Sequence, residues 1–302
     1  MNKCLLTGLT GLVGSSLAQD LSRDHEVYGI VRKKPEDSKC LHGIRPLICD
    51  LSNPSFADSL PEQMDYVVHL AQSDHFRDFP EGVINVFDVN TTSCLRLLDY
   101  ARKAKVKTFV LASTGGVYDW RDFWPTQHSP IISDKPLGFY FTSRMCAELL
   151  AENYAPYMNI VILRFFFIYG PGQKKGMLIP RLVQSVNEGK PISLHGQEGL
   201  RLNPIYVSDA VNTIRQSFSV QTSGRFDVAG AEVLSLREIG HIIGRQLNKE
   251  PKFEMNFDKE PKGVIGECQK MSQLLGAPKV SFEEGLAKYI QADRESFIGG
   301  KL

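Results

Sequence analysis

The stretch TGLTGLVG, residues 7 to 14, constrains this chain more than any other. It grows out of KCLLTG, an apolar run short enough for a buried strand. It leads into GLVGSSLAQDLSR, which has helical periodicity. Gly8, Gly11 and Gly14 therefore stand at a strand-to-helix turn. So sharp a turn needs little side-chain volume, and its backbone amides, at the start of a helix, favour a pyrophosphate. Close packing of a helix on a strand would ask for the same glycines without a ligand. The strand–turn–helix context favours the dinucleotide reading.

The rest of the chain repeats that alternation. EVYGIVR, RPLICD, MDYVVHLA, KTFVLAS and NIVILRF read as strands. Helical runs cover residues 83–103 and 139–154, and a loop rich in Pro, Asp and aromatics covers 118–136. Strands rich in Val, Ile and Leu between helices predict a parallel sheet covered on both faces. After GPGQKKG the pattern loosens into IPRLVQSVNEG, PISLH, NPIYV, SDAVNTIRQSF, GRFDVAG, SLREIGHIIGRQL and SFEEGLAKYI. The expected class is α/β, a doubly wound parallel sheet with a small C-terminal α+β lobe. Residues 1–170 are expected to form the dinucleotide-binding domain, with some later segments returning to it. Residues 171–302 are expected to form mainly the substrate lobe.

Composition narrows the function. Lys plus Arg number 35 and Asp plus Glu 34, a net charge of +1, whereas a general nucleic-acid binder is clearly basic. No apolar run approaches the roughly 20 residues that span a bilayer. The N-terminus has a mildly apolar character, but its glycines argue against a signal peptide. Six scattered cysteines without a CxxC pair read as reduced thiols, which predicts a cytoplasmic protein. The seven histidines show no metal-ligand spacing, so no metal is expected.

The second strand ends in Arg32 and Lys33, and the first acid after it is Glu36. An NAD site usually has an acid here for the ribose 2′-hydroxyl. The basic pair favours a 2′-phosphate, and hence NADP over NAD. A solvated basic turn is the plainer alternative. Asp50, ending the third strand, is placed either near the adenine or in a local turn.

STGGVY, residues 113 to 118, closes the fifth strand, so Ser113 and Thr114 fall at the carboxyl end of the sheet, where ligands bind. Tyr140 begins the next helix, and Arg144 follows four residues on, on the same helical face. A hydroxyl being oxidised, or a carbonyl being reduced, needs a proton acceptor or donor beside the hydride path. Tyrosine serves when a cation stands near it, and a Ser or Thr hydroxyl can hold the same oxygen.

In this order, TGLTGLVG, HLA at 69 to 71, VNTTSCLRLLDYA, STGGVY, YFTSR with Glu148, LRFFFIYGPGQ, NPIYVSDAV and SFEEGL resemble the extended short-chain dehydrogenase/reductase family. That family comprises nucleotide-sugar epimerases, dehydratases and reductases. The resemblance implies a Rossmann domain with a small substrate lobe. It makes Thr114 the catalytic hydroxyl and Tyr140 the proton-transfer residue, and it puts Arg144 where the family has a ribose-holding lysine. It sets Leu12, Val13, Leu51, Leu70 and Ala71 beside the cofactor. It assigns Thr114 and the position of Phe167 to the substrate, with Ser113 beside them at the sheet end; Lys174, Lys175 and Arg201 are the basic candidates for the substrate diphosphate, and ordinary solvated charges are the plainer alternative for each. Phe167 stands where the family often has Asn, and Asn203 takes an acidic position near Arg201. Dehydratases carry Asp-Glu after the catalytic Thr, whereas Gly115 and Gly116 follow here, which disfavours dehydration. A nucleotide-sugar epimerase and a 4-keto-sugar reductase remain. A non-catalytic NADP-binding scaffold is the alternative. The family's pairing of the two long helices implies a homodimer, with Leu95, Leu98, Leu149 and Leu150 as candidate seam positions.

Overall fold

Four of the six residues of β1 (Asn2–Thr7), namely Cys4, Leu5, Leu6 and Thr7, are fully buried. Such sealing on both faces is what a strand between two helical layers needs. This computed structural model describes residues 1–33, 42–118, 138–258 and 263–299. Most of the loop expected over 118–136, together with Glu36 and Cys40, lies outside them.

The first half follows in the expected order. α1 (Leu12–Leu21), β2 (His25–Val31), β3 (Ile44–Ile48) and β4 (Tyr66–His69) come first. The long helix expected over 83–103 is α2 (Val83–Phe87) and α3 (Ser93–Lys103), joined by a wide helical turn at Asp88–Thr92. β5 (Thr108–Thr114), α4 (Phe139–Glu152) and β6 (Asn159–Phe165) complete that half. The second half runs through β7 (Ile168–Tyr169), α5 (Leu178–Glu188), β8 (Pro191–His195), β9 (Arg201–Leu202), β10 (Ile205–Tyr206), α6 (Val207–Gln216) and β11 (Gly224–Val228). It ends with β12 (Leu234–Ser235), α7 (Leu236–Leu247), β13 (Lys252–Asn256), β14 (Gly263–Val264), α8 (Gln269–Leu274) and α9 (Phe282–Gly299). Among the described residues, no helix is long and apolar enough to cross a membrane.

Seven parallel strands form the main sheet in the order β3-β2-β1-β4-β5-β6-β11. This is a Rossmann-type sheet. Alternation along each strand feeds two cores. Leu5, Val67, Phe109 and Leu111 join Leu97, Leu98 and Ala147 of α3 and α4. Leu6, Val68 and Val110 join Leu17 and Leu21 of α1 and Ile214 of α6. Strand order reverses between β1 and β4, which opens a crevice at their carboxyl ends.

The later segments divide. GRFDVAG supplies β11 at the edge of the main sheet, with Phe226, Asp227 and Val228 buried. The strand expected at NPIYV shrinks to Ile205–Tyr206, paired with Ile168–Tyr169, because Val207 already begins α6. Asp209 of that helix accepts the backbone amides of Lys279 and Val280 and so moors the segment entering α9. Asn203 is buried, and its amide both donates to Gly266 O and accepts from Gly266 N. A carboxylate in its place would do only the second.

Candidate active site

The glycine turn forms one end of the site. Gly8 has φ of +73°, and an added Cβ would stand 2.9 Å from the backbone of Leu70 and Ala71. A Cβ on Gly14 would stand 2.0 Å from Gly8 O. β1, β4 and α1 therefore approach one another only because these residues carry no side chain. Among the described residues no side chain caps the N-terminus of α1, where a helix start favours an anion.

A cleft of about 1000 Å³ runs from this turn across the ends of β4 and β5 towards α5. Gly8, Gly11, Leu12, Val13 and Gly14 line one end of it. Arg32, Asp50, Leu51, Leu70 and Ala71 line the same half. Ser113, Thr114, Tyr140, Arg144 and Phe167 line the other, while Lys174 borders the cleft beside Asp74 and Arg32. Three expected site residues are absent from the lining. Lys33 is exposed at the end of β2. Lys175 pairs with Asp293 of α9. Arg201 lies in β9, its Nε buried without a hydrogen-bond partner among the described residues.

Beyond the end of β2, Arg32 Nη2 lies 2.8 Å from Asp74 Oδ2, and Lys174 Nζ lies 3.1 Å from the other oxygen of the same carboxylate. Lys174 and then Arg32 hold Asp74 below the ordinary carboxylate range. Asp50 is likewise held down, by the amide and hydroxyl of Ser52 and by the charge of Arg32.

At the chemical end, Tyr140 in the first turn of α4 donates its hydroxyl to Gln72 Oε1 at 3.1 Å. Arg144, one turn on, is only 3 % exposed, with its guanidinium carbon 5.7 Å from the Tyr140 ring centre. Its Nη2 donates to Ala71 O at 3.1 Å and Gln72 Oε1 at 3.4 Å, and its Nη1 to Ala112 O at 3.4 Å. The planar fork thus reaches backbone beside both β4 and β5, which a single ammonium group does less readily. Thr114 Oγ1 accepts from Gly116 N at 3.1 Å and caps the short turn after β5. Ser113 also borders the cleft, but it is buried and donates to Glu148, which Arg164 grips with two nitrogens. Its hydroxyl serves the interior.

Several neighbours escaped the sequence reading. Gln72 joins Tyr140 to Arg144 across a separation of 68 residues, and its position just past HLA was the available signal. Asn90, in the wide turn between α2 and α3, accepts from Ser73 N and donates to Ser143 Oγ, both at 3.0 Å. It ties the loop after β4 to the second turn of α4. His69 Nδ1 meets Thr7 Oγ1 at 2.8 Å; burial, and then the charge of Arg144, push its pKa down to about 3.

Aromatics crowd the cleft wall beside Thr114. Phe167 is held at φ +46°, a costly conformation for so bulky a residue. Phe165 and Phe166 adjoin it in the cleft wall. A Cβ on Gly115 would stand 2.3 Å from the Phe166 ring, and one on Gly116 2.0 Å from Phe141. The turn after Thr114 has no room for side chains while those rings stay in place.

The sequence profile of the NAD dependent epimerase/dehydratase family matches residues 4–225. The UDP-glucuronate 4-epimerase of Thermodesulfobacterium geofontis is 26 % identical over 316 residues, covering 98 % of this chain and 97 % of that one. The dTDP-D-glucose 4,6-dehydratase of Bos taurus is 25 % identical, covering 99 % and 90 %. The solved structure of MoeE5 in complex with UDP-glucose and NAD superposes with a TM-score of 0.81 at 25 % identity, covering 98 % of this chain and all of that one. With a profile matching most of its length and a Rossmann sheet carrying a glycine turn, the chain belongs to the NAD-dependent epimerase/dehydratase family.

Proposed function

We propose that the protein is an NAD-dependent epimerase acting on a nucleotide-linked sugar, with Tyr140 as the proton-transfer residue. The observation that carries this reading is one cleft shared by the glycine turn, Thr114, Tyr140 and Arg144. The names of the relatives support a sugar joined to a nucleoside diphosphate.

In this reading Gly8, Gly11 and Gly14 hold the pyrophosphate, with Leu12 and Val13 beside it and Leu51, Leu70 and Ala71 along the dinucleotide. When bound, the nicotinamide would supply the hydride acceptor and donor, and the keto sugar would turn over between the two transfers so that its other face is reduced. Tyr140 takes the proton of the sugar hydroxyl and later gives it back, while Thr114 holds the same oxygen. Arg144 keeps positive charge behind the phenol and spaces β4 from β5. Arginine does not deprotonate in proteins, so the proton path runs through substrate, ribose or water. Of the three basic residues expected at the substrate diphosphate, Lys174 alone lines the cleft, where it is paired with Asp74 beside Arg32; the lobe within 171–302 closes the sugar end. A 4-keto-sugar reductase would use the same two hydroxyls and differ in consuming its cofactor.

Two finer readings follow. Arg32 and Lys33 alone favour NADP, but Arg32 faces Asp74, and MoeE5 was solved with NAD; we take the cofactor to be NAD. Dehydration is disfavoured because Phe166 and Phe141 fill the space beside Gly115 and Gly116.

The test is a turnover assay against UDP-, dTDP-, GDP- and CDP-sugars and their 4-keto forms, with the cofactor balance followed. Epimer formation without net cofactor consumption is expected, and Tyr140→Phe should lower turnover by about a hundredfold to ten-thousandfold while dinucleotide affinity holds. Net consumption of reduced cofactor would make the protein a reductase. Dinucleotide binding without turnover of any sugar would leave the scaffold reading.

A further inference from the structure

A basic pair, Arg32 and Lys33, directly follows β2 with no acid beside it, a charge pattern suited to the 2′-phosphate of NADP. The folded chain changes that balance. Asp74, in the loop after β4 and 42 residues from Arg32, brings its carboxylate to within 2.8 Å of Arg32 Nη2. Lys174, on the segment leading to α5, holds the second oxygen of that carboxylate at 3.1 Å. Asp50, fixed by Ser52, lies within the field of the same guanidinium. All four of these side chains border one cleft. A 2′-phosphate arriving at Arg32 therefore meets two carboxylates, one of which already pairs with the arginine.

We propose that Asp74 is the residue that selects NAD over NADP, by occupying Arg32 with a carboxylate drawn from a distant loop and held in place by Lys174. This rests on the dinucleotide-binding reading above. The logic is charge. A 2′-hydroxyl is neutral and can approach the carboxylate, whereas a 2′-phosphate carries close to two negative charges and is repelled by it. The side chains of Arg32 and Asp74 are 70 % and 52 % exposed, so the pair adds little to stability. Substituting Asp74 should leave the fold intact and move selectivity alone. At an exposed site the repulsion between a carboxylate and a phosphate a few ångströms away amounts to about a tenfold change in binding.

The experiment is titration calorimetry of NAD+ and NADP+ against the full-length protein, its Asp74→Asn variant and the double variant Asp74→Asn/Arg32→Ala. The parent should bind NAD+ tighter by about tenfold or more, and Asp74→Asn should shrink that ratio by about tenfold. Adding Arg32→Ala should abolish the gain in NADP+ affinity, because the freed guanidinium is what receives the phosphate. Equal or tighter NADP+ binding by the parent overturns the proposal. So does an unchanged ratio in Asp74→Asn, or a gain that persists without Arg32. Failure of the parent to bind either dinucleotide would instead overturn the dinucleotide reading, and this proposal with it.

Discussion

Arg144 shows how one side chain can carry two duties. Its charge lies behind the Tyr140 ring, and its donors bridge Ala71 O beside β4 and Ala112 O within β5. Lysine preserves the first duty and part of the second. Arg144→Lys should keep turnover within about threefold of the parent yet unfold earlier in urea, since each charge-assisted hydrogen bond lost costs about 1.5–3 kcal/mol. Arg144→Met removes the charge as well, and turnover should then fall by about a hundredfold or more. Turnover and urea midpoints of the two variants beside the parent check both statements. Equal losses of activity in both would mean that the guanidinium geometry matters and the charge does not.

Four elements meet in a buried polar chain behind the cleft. Ser113 of β5 reaches Glu148 of α4, which pairs with Arg164 of β6. Arg164 lies over the Tyr118 ring, and the Tyr118 hydroxyl donates to Asp227 of β11 at 2.7 Å. Burial pushes the Asp227 carboxyl up from 3.8 to about 6, outweighing its Tyr118 hydrogen bond and the charge of Arg164. Between those values the folded chain holds a proton that the unfolded chain has released. Asp227 therefore makes stability fall as pH climbs from about 4 to 6, a cost of about 3 kcal/mol, complete above that window. His69 acts in the opposite sense. Its folded value of about 3 lies below the ordinary 6.5, so its contribution is present near neutrality and is lost as pH falls. The parent should show a shallow pH dependence between about 4 and 6, where the two slopes oppose each other. Asp227→Asn removes one of them. Its stability should rise steadily with pH and exceed that of the parent at pH 7, as urea unfolding across the series would measure. A variant curve parallel to the parent's would remove Asp227 as the source.

The proposed homodimer belongs to the whole molecule. Of the four apolar seam candidates, Leu98 is sealed in the core and Leu150 packs against it, whereas Leu95 and Leu149 are 40 % and 51 % exposed. Ile84 and Phe87 of α2 are also exposed. Leu95→Glu with Leu149→Glu should turn a dimer into a folded monomer by light scattering. A parent that is already monomeric at micromolar concentration would reject the pairing. Helical periodicity could not sort these leucines, because an interface and a core make the same demand on a side chain.

What the residues alone determined was local. The turn at Gly8 needs a positive φ and the packing at Gly14 tolerates no Cβ, so both requirements are written in residue identity. Tyr140 and Arg144 share a face because four residues make about one helical turn. The strand and helix alternation was legible for the same reason, since periods of two and 3.6 residues are properties of short windows. Only the tertiary structure decided the rest. It turned Ser113 inward to Glu148, brought β11 back to the sheet edge, set Gln72 between Tyr140 and Arg144, and gave Arg32 an acid from 42 residues away. Each of these joins segments whose separation along the chain carries no period. Their meeting depends on sheet order and on the route of loops over the carboxyl ends of the strands. The basic pair after β2 reads as a phosphate site in the sequence alone, whereas the fold sets Asp74 beside Arg32.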